Sequence, residues 1–60
     1  MKNFYVSVEV KREEDGRVLA SVRDLPGVKA YGDSEAQAVR KVRSIALDVL
    51  SDMIVAGELP

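Results

Sequence analysis

Five carboxylates, Glu9, Asp24, Asp33, Asp48 and Asp52, are the side chains of this sequence whose type suits chemistry, since clustered acids hold the divalent ions of many hydrolytic sites. Their spacing compels no such cluster. Asp24 precedes Leu25-Pro26-Gly27, where an acid initiates a turn, and Asp33 stands at a helix start, where a negative charge complements the helix dipole. Asp48 and Asp52 fall on the wet side of the same helix. The 60 residues include no histidine and no cysteine, so the commonest general base and the strongest thiol nucleophile are absent. The serines have no plausible base nearby. We therefore expect no catalytic residue, no metal site and no cofactor.

The elements that would position any site can be read in chain order. Phe4, Val6, Val8 and Val10 alternate with Tyr5, Ser7, Glu9 and Lys11, which is the period of a half-buried strand. Asp15-Gly16 offers the positive-φ position of a hairpin loop, after which Val18, Ala20 and Val22 repeat the alternation between Arg17 and Arg23. Pro26 presets φ for the second position of a turn and Gly27 supplies the positive φ that a type II turn needs next. Val28 to Tyr31 then returns as a third, short strand, and Gly32 loosens the backbone. Ser34-Glu35-Ala36-Gln37 has the form of a capping box, in which Ser34 accepts from the Gln37 amide while the Gln37 side chain reaches back to Ser34.

A helix is predicted from Glu35 to near Ala56, with Gly57 as the left-handed residue that follows it. Ala38, Val42, Ile45, Ala46, Val49 and Met53 form its apolar face, widened by Val39 and Leu50. Gln37, Arg40, Lys41, Ser44, Asp48, Ser51 and Asp52 lie opposite. The fold class is thus α+β, a three-stranded antiparallel meander packed on one long C-terminal helix, in a single domain over residues 1–60 with no DNA-binding domain.

A domain of this size buries only about 60% of its unfolded surface, and neither disulfides nor zinc can staple it. Local geometry and self-association must contribute. Nine basic against ten acidic residues give a net charge of −1 with no basic cluster beyond Arg40, Lys41 and Arg43, which point in three directions around the helix. Direct nucleic-acid binding is therefore a weak alternative. With no apolar signal region after Met1-Lys2-Asn3 and no run of roughly 18 apolar residues, the sequence reads as soluble and cytoplasmic.

Two features of the helix point to a partner. Leu47, Leu50 and Ile54 make a second stripe about 100° from the main face, which one small sheet can hardly cover as well. The helix, about 33 Å long, also outruns a strand of about 23 Å, so Met53, Ile54 and Val55 should overhang. The plainer alternative is that loops and the tail at Leu59 fold back over them. On the sheet, Tyr5, Leu19, Lys29 and Tyr31 fall on the side away from the helix and form a candidate patch, unless Tyr5 and Tyr31 merely cover each other across strands.

The order of Glu14-Asp15-Gly16, Asp24-Leu25-Pro26-Gly27, Ala30-Tyr31-Gly32-Asp33-Ser34 and the Ala36 to Ala38 helix start resembles the HicB family of antitoxins and the solitary HicB-like proteins. The likeness runs from about Phe4 to Pro60. It implies a partial ribonuclease-H-like domain that binds and blocks HicA, a small toxin that cleaves messenger RNA. Full antitoxins add a C-terminal DNA-binding module, whereas this sequence ends at Pro60 without one and without the family's usual fourth strand. Val28 also stands where many relatives carry cysteine. The implied function is neutralisation of a HicA-type toxin by occlusion, with the acidic Glu13-Glu14-Asp15 loop either masking a basic toxin surface or simply solvated. The alternative is a solitary HicB-like oligomer, dimeric or higher, with a structural or regulatory task and no toxin.

Overall fold

Alternation at Val18, Ala20 and Val22 puts the middle strand's apolar side chains on one face, and everything else is arranged around that face. The computed structural model describes residues 7–57. Strand β1 spans Val8–Arg12, β2 Val18–Val22 and β3 Lys29–Gly32, and helix α1 runs Glu35–Val55. The strands pair antiparallel in the order β1-β2-β3, with Val10 opposite Ala20 and Ala20 opposite Ala30. The predicted β-β-β-α arrangement is the one observed. Phe4, Tyr5 and Val6, which the alternation assigns to the first strand, lie outside the described residues, as does Leu59.

Each connection follows from one or two residues. At the hairpin, the Gly16 amide donates to the Glu13 carbonyl at 3.1 Å and the Glu13 amide to the Arg17 carbonyl at 2.8 Å, with Gly16 at φ 92°. This is a three-residue loop closed by a glycine bulge. At the next reversal the Val28 amide donates to the Leu25 carbonyl at 3.0 Å and Gly27 takes φ 87°, the geometry expected of Pro-Gly. A Cβ on Gly27 would meet nothing within 4 Å, so a substitution there is penalised by backbone conformation alone. Gly27→Val is expected to destabilise the fold by about 2 kcal/mol and Gly27→Asn by less, as equilibrium urea unfolding would measure.

Helix α1 starts as its cap predicts, with one shift. Ser34 is extended and its Oγ accepts from the Gln37 amide at 3.2 Å. The Gln37 side chain does not return to Ser34, however; its Oε1 accepts from the Asp33 amide at 2.6 Å, one residue earlier. The donor thus satisfied is that of the residue leaving β3, so the cap ties strand to helix. At the other end the Ala56 amide still bonds Asp52 and the Gly57 amide bonds Ile54, with Gly57 left-handed at φ 74°.

The core is built from small side chains: Val18, Ala20, Val22, Val28, Ala38, Val42 and Ala46. Among the described residues nothing larger than valine is fully buried. Such a core lets helix and sheet approach closely, and Gly32 is where they meet. Gly32 is the last residue of β3 and is buried, not a loosened link after it. A Cβ there would sit 2.5 Å from the Ala38 nitrogen and 2.9 Å from its Cα, so the helix backbone occupies the space a side chain would need.

Close packing at Gly32 also sets the lateral position of α1, which lies over β2 and β3 and barely touches β1. Two expectations fail for this reason. Val10, on the helix-facing side of β1, is 40% exposed rather than dry, and Ile45, expected in the core, is 39% exposed on the flank of the helix nearest the far edge of β3. Met53 is half-buried, whereas Ile54 and Val55 are exposed as the overhang predicts.

Candidate protein-binding surfaces

Displacement of α1 toward β3 opens a groove on the other side. Val8 and Val22 form its floor, and Arg43, Ala46, Leu47 and Leu50 form its wall, around a space of about 350 Å³. Val8 and Val22 are cross-strand partners, so their side chains lie next to each other on the helix-facing side. Leu47, at 67% exposed, and Ile54, at 61%, continue the wall toward the helix end, and Leu50 between them is half-buried. Leu47, Leu50 and Ile54 are therefore brought together on one flank, as the second stripe predicts. Val8 and Val22 are the parts that sequence reasoning missed. Nothing in the alternation says toward which edge the helix will lean.

The outer face of the sheet is more polar than expected. Leu19 and Tyr31 are direct cross-strand partners there, with Leu19 half-buried and Tyr31 exposed. The Arg17 guanidinium stacks over the Tyr31 ring with its carbon 4.4 Å from the centroid. Arg17 is held in turn by Asp15, whose Oδ2 accepts from Nε at 2.8 Å and whose Oδ1 accepts from the Arg17 amide at 3.1 Å. Tyr31 is thus roofed by a cation, a contact worth about 0.5–1 kcal/mol at an exposed site. Lys29 completes this face beyond Ser21, and Tyr5 lies outside the described residues.

The same contacts hold the Asp15 carboxyl below its ordinary pKa, first through the Arg17 amide and then through its guanidinium. A depressed carboxylate stabilises the fold above its unfolded pKa and loses that contribution as the pH falls through the folded one. An NMR titration should place the Asp15 midpoint below the ordinary aspartate range. Arg17→Ala should raise it only part of the way, because the amide bond remains.

Other residues singled out by the sequence have structural roles. Pro26 and Gly27 form the turn, and Gly32, Ser34 and Gln37 join β3 to α1. Of the basic trio, Lys41 reaches the Tyr31 carbonyl at 3.2 Å, Arg43 lines the groove and Arg40 is exposed, so no continuous basic stripe forms. Among the described residues no three acidic side chains converge as a metal site, and no helix is long and apolar enough to cross a membrane. Comparison with protein-family models, curated proteins and solved structures finds no match to the chain.

Proposed function

We propose that this chain is a protein-binding domain of the HicB-like antitoxin type, which neutralises an mRNA-cleaving HicA-type toxin by covering the surface that RNA must reach. The observation that carries the reading is the open groove walled by Leu47 and Leu50, with exposed Ile54 farther along the same flank of the helix. Exposed leucine and isoleucine beside a preformed apolar trough suit a partner's apolar side chains. The ordered turn and cap motifs support the same reading through their resemblance to the family. Toxin and message meet in the cytoplasm, where we place the protein.

Occlusion needs no catalytic group, cofactor or metal on this chain. It needs a complex that outlasts encounters with RNA, with Leu47 and Leu50 seated in the partner and Arg43 at the rim. The test is RNA cleavage by a HicA-type toxin encoded beside this protein, small, basic and containing histidine. One equivalent of this chain should stop cleavage, and undiminished cleavage in its presence would refute toxin neutralisation. A second reading, a solitary HicB-like oligomer without a toxin, is favoured by the unpaired edge of β1.

A further inference from the structure

The two edges of the sheet are not alike. Hydrogen bonds from the Arg23 amide to the Ser7 carbonyl and from the Glu13 amide to the Arg17 carbonyl bracket the β1-β2 ladder. Alternation along an antiparallel pair then turns the main-chain groups of Glu9 and Lys11 toward β2. Those of Val8, Val10 and Arg12 turn outward. On the opposite side, the bond from the Val22 amide to the Val28 carbonyl turns Lys29 and Tyr31 outward from β3, and there Lys41 caps the Tyr31 carbonyl. Long basic side chains are a common protection for a free edge. Among the described residues Lys41 caps the β3 edge in this way, whereas Lys11 and Arg12 of β1 make no side-chain hydrogen bond to its outward main-chain groups.

We propose that the β1 edge pairs with β1 of a second copy, antiparallel about a two-fold axis through Val10, joining two sheets into one of six strands. The register follows from the sequence of the strand. Outward groups at Val8, Val10 and Arg12 permit only registers that place these residues opposite one another. Centring on Glu9 sets Glu9 against Glu9 of the second copy, and centring on Lys11 sets Lys11 against Lys11. Both oppose like charges, as does centring on Arg12, and centring on Val8 leaves the Val8 pair as the one pair within β1. Centring on Val10 sets Glu9 against Lys11 of the second copy on both sides of the axis, in the positions where cross-strand side chains lie closest. It also lets Val10 meet Val10 and Val8 meet Arg12, three pairs that each exchange two main-chain bonds. Arg12 can lay its apolar stem on Val8 of the second copy and keep its charge in water. The pairing holds whether or not a toxin is the partner of the groove.

Within one chain Glu9 faces Ser21 and Lys11 faces Leu19, and neither makes an ion pair among the described residues, so reversing their charges leaves the monomer fold alone. Size exclusion with light scattering across a dilution series reads the dimer dissociation constant. Glu9→Lys and Lys11→Glu should each weaken the dimer by about tenfold, because each turns two attractive pairs repulsive. The double reversal Glu9→Lys with Lys11→Glu should restore it. Val10→Pro, which removes an outward amide and spares the β2 ladder, should give a monomer whose circular dichroism is unchanged. A wild-type chain that stays monomeric at about millimolar concentration, or one that pairs this edge only with a foreign strand, would overturn the proposal. So would a double reversal that dimerises no better than the single variants.

Discussion

Gly32→Ala should lower the melting temperature by roughly 10 °C, an unusually large effect for one methyl group. Two opposing terms decide it. Replacing glycine in a strand removes freedom from the unfolded chain and should stabilise by about 0.4–1 kcal/mol where the backbone tolerates a side chain. Gly32 has no left-handed φ, so its backbone would tolerate one. The added Cβ, however, would lie 2.5 Å from the Ala38 nitrogen, and the atom in the way is helix backbone rather than a flexible side chain. Overpacking of this kind costs about 1–3 kcal/mol, which outweighs the entropic gain. Small domains seldom hold more than about 3–5 kcal/mol in reserve, so the loss is a large share. Thermal unfolding by circular dichroism measures it. A variant as stable as wild type would mean that α1 can lift from β3 at little cost, and the lateral placement that opens the groove would lose its physical cause.

Leu47→Asp should weaken binding of the partner by about a hundredfold and leave the melting temperature within 2–3 °C of wild type, about 0.5 kcal/mol for a surface change. The separation of the two effects follows from exposure, because a side chain 67% exposed contributes little to the fold. In a complex it would be covered, and a carboxylate buried without a partner loses both the apolar contact and its hydration. Ile54→Asp, at 61% exposed, should act in the same direction. Titration calorimetry with the proposed HicA-type partner gives the affinity. Wild-type affinity in both variants would remove the stripe from the interface and shift attention to Leu19 and Tyr31.

What could be read from the sequence was set by chemistry within a few residues. Pro26-Gly27, Asp15-Gly16 and Ser34 each specify a backbone geometry that hardly depends on what packs nearby, and each appears where expected. The exposure of Leu47 and Ile54 was also legible, since a helix cannot turn two faces toward one sheet. Features that depend on where the helix lies across the sheet were not. Ile45 and Val10 are exposed because α1 leans toward β3, and that lean is set by the missing Cβ of Gly32, a tertiary contact with no local signature. Gln37 chose the Asp33 amide over that of Ser34, a choice between donors one residue apart. The Arg17 roof over Tyr31 is a diagonal contact between neighbouring strands, which alternation permits but does not require.

The central claim is that the flank of α1 beside β1 binds a toxin. Size exclusion with light scattering tests it directly, on the chain alone, on the chain mixed with the product of any small neighbouring reading frame, and on the Leu47→Asp variant in the same mixture. The account predicts a discrete complex of the two proteins that the variant fails to form. Separate elution of wild-type chain and neighbour, each at its own mass, would contradict it.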